Sequence, residues 1–201
     1  MAQLGKWNHG EWQDRLTAWK NELATRFYKP LGSVDLEGYL TEDQLSVEDA
    51  MAGEFAPIKP GDTWGDGSPF MYQWFRGTIT TPAEAAGKKL VFRHGAGPVT
   101  GLIFINGQPA GQMSPTGWAS PLRFPMTLSL DAKPSETFDL LMEAYAGNHP
   151  ADCHGMPKPH DHVYVPDTSP DNIHTVEPST VGWWDADAFD RASVEQDQGE
   201  V

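Results

Sequence analysis

Residues 122–130 read Leu-Arg-Phe-Pro-Met-Thr-Leu-Ser-Leu, and this stretch decides the fold class. Its apolar residues occupy every second position, and polar residues or proline fill the positions between them. A period of two predicts a β-strand with one face in a core and the other in water. Pro125 has no amide hydrogen for a neighbouring strand, so it predicts an edge position or a bulge.

Comparable strands lie on both sides of this stretch. Residues 138–144 alternate in the same way, and residues 90–94 and 102–105 are shorter apolar strands. Asn106-Gly107 supplies residues that adopt positive φ, as a tight turn back toward Met113 requires. Short strands separated by glycine and proline turns, without helices between them, predict a mainly β fold, an antiparallel β-sandwich of jelly-roll-like form.

One or two α-helices are predicted before this sandwich. Residues 9–28 carry a single apolar stripe at helical spacing, and Pro30 and Gly32 mark its expected end. A second, short helix is predicted between Thr41 and Met51. The stripe of the first helix consists of Trp12, Leu16, Trp19, Leu23 and Phe27.

These patterns divide the chain into three parts. We expect a helical segment over residues 1–58 that packs on the sandwich or on a partner. The sandwich itself is expected over residues 59–184, followed by a connector and a polar tail over residues 185–201. No internal repeat interrupts this order, which is consistent with one main domain.

Charge and cysteine content exclude several classes of function. The chain has 14 basic and 28 acidic residues, a formal net charge of -14 that repels nucleic-acid phosphates and anionic lipids. No apolar run approaches the roughly 18 residues of a membrane span, and no signal-peptide core follows Met1. The single cysteine, Cys153, cannot form an internal disulfide, so we expect a protein of the reducing cytoplasm.

Residues 146–180 form a long proline-rich stretch in which metal-binding side chains concentrate. Cys153, His154, His160 and His162 are of the types that zinc prefers. Their spacing matches no standard zinc motif, and glycine and proline residues lie between them. A solvated, histidine-rich loop is therefore favoured over a zinc site. The four residues are metal candidates only under the less favoured interpretation.

The sequence places no catalytic residue. Acidic residues are too numerous for a hydrolytic pair to be chosen among them, and Asp62 and Asp66 suit side-chain turns on either side of Trp64. No nucleophile elbow, phosphate loop or dinucleotide fingerprint occurs. We therefore expect no catalytic residue and no cofactor in this chain.

Two tryptophans in predicted turns are candidates for facing a carbohydrate. Trp64 and Trp118 could each stack an indole ring on the C–H face of a pyranose while polar neighbours bind its hydroxyls. The competing interpretation is that they close the ends of the sandwich, since tryptophan is largely buried even in loops. This second interpretation is favoured.

The order of several short motifs resembles the family 38 glycoside hydrolases, the α-mannosidases. Gly61-Asp62-Thr63-Trp64-Gly65 is followed by Gln73-Trp74-Phe75-Arg76, then by a strand and Asn-Gly turn over residues 101–109 and a Glu-Ala strand over residues 138–145. The resemblance covers about residues 60 to 190. The order of these motifs is more specific than any single one.

The resemblance implies a non-catalytic, N-terminal β-sandwich that precedes an α/β barrel. In that family the barrel holds the zinc ion and the catalytic carboxylates, so zinc is expected there and not in this chain. We expect an accessory domain that supports the barrel, in the same protein or in a separate partner, in glycan or mannose catabolism. Trp183 and Trp184, beside the implied junction, are candidates for domain docking, with ordinary core as the alternative.

Two other functions remain open at this point. A free-standing carbohydrate-binding module, with a mannose-containing glycan as its partner, would need exposed rings on a strand face or in a loop cluster. An independent enzyme would have to use the histidine-rich loop, for which the sequence places no catalytic partners. The accessory domain is the favoured interpretation of the three.

Overall fold

A computed structural model describes residues 27–68, 70–97, 99–113, 126–147 and 172–187. Within these ranges the chain is built mainly from β-strands, with one short α-helix, α1 (Val47–Met51), and a 3-10 turn at Ala83–Ala85. The strands are β1 (Tyr28–Ser33), β2 (Leu36–Thr41), β3 (Ala56–Ile58), β4 (Thr63–Trp64), β5 (Tyr72–Thr80), β6 (Leu90–Arg93), β7 (Thr100–Ile105), β8 (Gln108–Met113), β9 (Met126–Ser129), β10 (Thr137–Tyr145), β11 (His174–Thr175) and β12 (Thr180–Trp184).

The strands form two main antiparallel sheets. The four-stranded sheet has the order β1-β12-β6-β9, and the six-stranded sheet has the order β3-β2-β5-β10-β7-β8. A short ladder of two strands joins β4 to β11. The predicted mainly β, antiparallel sandwich is therefore confirmed.

One apolar core lies between the two sheets and holds them together. Alternate residues of each strand supply it, as the period of two requires. Complete burial of each large apolar side chain contributes about 1.5–3 kcal/mol, so a core of this size is the main source of stability. Its fully buried large members include Phe75, Ile79, Leu90, Phe92 and Met142.

A second apolar cluster lies on the outer face of the six-stranded sheet. Residues 42–55, here called the cap segment, place Ala50 of α1 over this face. The Ser46 hydroxyl oxygen caps α1 by accepting a hydrogen bond from the Asp49 amide at 3.1 Å. The second predicted helix is thus confirmed. The sheet residues beneath the cap segment are Trp74, Phe104 and Leu141.

The strand predictions agree with the structure where it describes them. Strand β9 lies at the edge of the four-stranded sheet, as expected of the stretch around Pro125, although residues 114–125 lie outside the described residues. Asn106 and Gly107 form the predicted turn between β7 and β8 with φ values of 51° and 73°. The Asn106 carboxamide oxygen also accepts a hydrogen bond from the Asp139 amide at 2.8 Å.

The region before residue 59 differs from its prediction. Residue 27 is helical and Tyr28–Ser33 forms β1, so the helix ends close to its predicted end, but the strand that follows it was not predicted. Proline is tolerated because β1 is an edge strand with a register shift between Pro30 and Gly32. Strands β1, β2 and β3 belong to the two sheets, so the sandwich begins well before the expected boundary. Residues 9–26 of the predicted first helix lie outside the described residues.

Candidate functional site

Trp64 lies in the core rather than on the surface. Its side chain is only 3% exposed, and its indole N–H donates a hydrogen bond to the Ala96 carbonyl oxygen at 2.9 Å. Phe75 and His174 lie against the ring, with centroid distances of 5.9 and 4.7 Å. A ring enclosed in this way closes the sandwich and offers no open face on which a sugar could stack.

Trp183 and Trp184 lie on β12, between β1 and β6 in the four-stranded sheet. Both side chains are half-buried. Because they are consecutive on a strand, their rings point to opposite faces of the sheet. The Lys88 ammonium lies 4.4 Å from the Trp183 ring centroid, and the Phe27 ring lies 4.8 Å from that of Trp184. A partner that docks on one face of this sheet therefore meets only one of the two tryptophans.

The remaining candidates from the sequence lie outside the described residues. This applies to Trp118, the second carbohydrate candidate, and to all four metal candidates. Within the described ranges, no group of three or more histidine, cysteine, aspartate or glutamate side chains could hold a metal ion. The metal candidates are Cys153, His154, His160 and His162.

Asp62 and Asp66 form the predicted side-chain turns. The Asp62 carboxylate accepts a hydrogen bond from the Lys59 amide at 2.7 Å, and the Asp66 carboxylate accepts one from the Ser68 amide at 2.8 Å. The bond from Ser68 lowers the pKa of the Asp66 carboxyl below its ordinary value. Both carboxylates are thus committed to loop structure around Trp64.

A group of polar and aromatic side chains on the six-stranded sheet was not predicted from the sequence. Tyr72 of β5 pairs with Tyr145 of β10, and the neighbouring Glu143 pairs with both Trp74 and Leu102. The inward residues of β10 belong to the core, so these side chains share the outer face. We call Tyr72, Tyr145, Glu143 and Leu102 the outer-face patch. It lies beside the cluster that the cap segment covers.

The two tyrosine rings of the outer-face patch are in contact, with centroids 5.2 Å apart and planes inclined by 37°. Burial, and secondarily the neighbouring Tyr72, raise the pKa of the Tyr145 hydroxyl. Burial likewise raises the pKa of the Glu143 carboxyl above its ordinary value. Only knowledge of the register between β5 and β10 could have found this patch, because its members are far apart in sequence.

A groove of about 920 Å³ opens where the chain passes from β1 to β2. Its wall combines apolar side chains such as Leu36 and Ile58 with the ion pair between Arg76 and Glu37. The guanidinium Nε lies 2.7 Å from the carboxylate oxygen, and the same guanidinium lies 4.2 Å from the ring centroid of Phe55. These two charges are therefore already matched within the fold, and the pair links β2 to β5.

No helix of the described residues is long and apolar enough to cross a membrane.

The two antiparallel sheets around one core define a jelly-roll β-sandwich, of which the outer-face patch and the groove are surface features. Residues 32–169 match the family described as alpha-mannosidase, jelly roll domain. Because this match spans more than half of the 201 residues, the chain belongs to that family. The resemblance to the β-sandwich domain of α-mannosidases is therefore confirmed.

Solved structures of β-glucuronidases share the fold. A β-glucuronidase of Faecalibacterium prausnitzii superposes with a TM-score of 0.50 at 16% identity, over 79% of this chain and 32% of that one. A β-glucuronidase from Ruminococcus gnavus in complex with uronic deoxynojirimycin gives 0.51 at 15% identity, over 80% and 29%. The chain thus spans about a third of these proteins, and the likeness shows the fold alone. No curated protein matches the sequence.

Proposed function

We propose that this chain is the N-terminal accessory domain of a family 38 α-mannosidase and supports a catalytic α/β barrel in glycan or mannose catabolism. The observation that carries the proposal is the match of residues 32–169 to the alpha-mannosidase jelly roll domain family. The barrel belongs either to the same protein or to a separately encoded partner. The proposed compartment is the cytoplasm.

The proposal assigns hydrolysis to the barrel. Metal-assisted cleavage of a mannoside needs a Lewis acid on the sugar hydroxyls and two placed carboxylates. The described residues offer no such metal-binding group, and the carboxylates of Asp62 and Asp66 are held in turns. From the resemblance to family 38 glycoside hydrolases, zinc is proposed to be held by the barrel, and the role of the sandwich is to hold the barrel in place.

Docking to the barrel is proposed to use one tryptophan of β12. Trp183 and Trp184 are half-buried and aromatic, as residues at the centre of an interface commonly are. Their opposite orientation on the strand means that a single docking face uses one of them and leaves the other as local structure. Trp183 shares its face of β12 with the core residue Val181, so Trp184 is the tryptophan proposed to contact the barrel.

The test of function compares this chain with the full open reading frame that contains it. Both proteins are assayed on an aryl α-mannoside with added zinc. We expect turnover by the full protein and none by the 201-residue chain above a buffer control. Turnover by the chain alone would contradict the accessory role, and a folded full protein that contains the barrel but is inactive would contradict the assignment to an α-mannosidase.

The test of docking compares Trp183→Ala with Trp184→Ala in that full protein. Calorimetry is expected to show one joint unfolding transition in the parent protein. The substitution on the docking face is expected to split this transition into two, because the sandwich then unfolds separately from the barrel. Joint unfolding in both variants would contradict docking through β12.

A further inference from the structure

The outer-face patch combines an apolar ring surface with a carboxylate and two tyrosine hydroxyls. Among the described residues, no side chain or amide forms a hydrogen bond or ion pair with the Glu143 carboxylate or with the hydroxyls of Tyr72 and Tyr145. All three side chains are half-buried, so their polar groups are partly withdrawn from water. Half-buried polar groups without protein partners are available to a ligand.

The apolar part of the outer-face patch lies on three neighbouring strands. The tyrosine rings touch across β5 and β10, and Leu102, which is 48% exposed, extends the surface onto β7. Phe70, which is 50% exposed, precedes β5 at the same end of the sheet.

We propose that the outer-face patch binds a neutral pyranose, whose C–H face lies on the rings of Tyr72 and Tyr145 and whose hydroxyls bond to the Glu143 carboxylate and the tyrosine hydroxyls. A pyranose fits because it presents one apolar face and a rim of hydroxyl donors, the two chemistries that the patch presents in return. The carboxylate accepts from sugar hydroxyls, and a hydrogen bond to a charged acceptor is stronger than one between neutral groups.

Charge and ring geometry exclude two other ligand classes. A uronate or phosphorylated sugar would meet the Glu143 carboxylate on a chain of net charge -14, and like charges repel. The aromatic cage that recognises a quaternary ammonium has its rings arranged around the cation. The Tyr72 and Tyr145 rings are instead in contact with each other, so no cation fits between them.

The indole N–H of Trp74 provides a local reporter of binding. Trp74 pairs with Glu143 across the two central strands, and its indole nitrogen is buried without a hydrogen-bond partner among the described residues. A ligand on the neighbouring patch alters the field at this nitrogen without having to contact it. Its resonance is identified by its loss in the Trp74→Phe variant.

The experiment titrates the isotope-labelled, full 201-residue chain with methyl glycosides of mannose, glucose and galactose, and in parallel with a methyl glucuronide. We expect a saturable shift of the Trp74 indole resonance for at least one neutral glycoside, with a Kd on the order of 1 mM, and none for the glucuronide. Glu143→Gln and Tyr145→Phe are expected to weaken binding about fivefold each, and Tyr145→Ala by tenfold or more.

Tyr28→Phe is the matched control, because it also removes one tyrosine hydroxyl but on the four-stranded sheet, where that hydroxyl pairs with Thr180. It is expected to leave binding unchanged. Absence of a saturable shift with all three neutral glycosides up to about 50 mM would overturn the proposal. So would equal binding of the glucuronide, or unaltered binding by Glu143→Gln and Tyr145→Phe. Glu143→Gln hardly changes the size of the side chain, so this variant is expected to fold. The proposal can therefore be tested even if Tyr145→Ala does not fold.

Discussion

At Trp64, one buried hydrogen bond joins β4 to the loop after β6. Trp64→Phe removes the donor to the Ala96 carbonyl, leaves that acceptor buried without its partner, and opens a cavity in the core. We expect a loss of about 2–4 kcal/mol in the free energy of unfolding, measured by urea denaturation. Trp183→Phe, on a half-buried ring, is the control and is expected to cost under about 1 kcal/mol. Unchanged stability in Trp64→Phe would contradict the structural role.

Glu143 links stability to pH with a definite sign. Burial raises the pKa of its carboxyl in the folded state above the unfolded value near 4.5. At a pH between the two pKa values, the folded protein therefore binds more protons at Glu143 than the unfolded chain does. Its contribution to stability is therefore complete below the unfolded pKa and is lost as pH rises through the folded pKa. Glu143→Gln is expected to unfold at a higher temperature at pH 7 and to differ less from wild type near pH 4. A lower unfolding temperature at pH 7 would contradict this sign.

At the scale of elements, strands with a local pattern could be predicted and strands defined by distant partners could not. The alternation in β9 and β10 and the Asn106-Gly107 turn are local, and the structure confirms them. Strand β1 follows a helical stripe and contains a proline, and it is a strand because it pairs with β12 near the other end of the chain. Such non-local pairing overrides local propensity.

Strand β7 depends on a glycine because it lies very close to its neighbour. A Cβ at Gly101 would overlap the Glu143 carbonyl oxygen of β10 and the end of the Met113 side chain. The backbone oxygen cannot move without breaking the central ladder, so Gly101→Ala is expected to cost about 3 kcal/mol or more. Gly32→Ala is the control, since its nearest atom is 3.8 Å away, and it is expected to change stability by less than about 0.5 kcal/mol. Thermal unfolding of both variants tests this difference.

At the scale of the whole molecule, the order of motifs carried more information than any residue. It indicated the α-mannosidases, and the family match confirms that resemblance for residues 32–169. The binding surface could not be predicted in the same way, because it depends on strand register. Tyr72 and Tyr145 are unremarkable in sequence and become neighbours only through the pairing of β5 with β10. Trp64 lies in the core, in agreement with the favoured interpretation of its place in the sequence.

The net charge of -14 makes the stability of the whole molecule sensitive to salt. Repulsion among like charges destabilises the compact state, and salt screens it. From about 0.01 to 0.1 M NaCl the Debye length falls from roughly 30 to about 10 Å. At pH 7 we expect calorimetry to show a rise of roughly 2–4 °C in Tm, equivalent to about 1 kcal/mol. At the isoelectric pH of about 4.7 the same salt step is expected to have little effect, because the net charge is near zero. A Tm that falls or stays constant with salt at pH 7 would show that local ion pairs, such as Arg76 with Glu37, outweigh the repulsion.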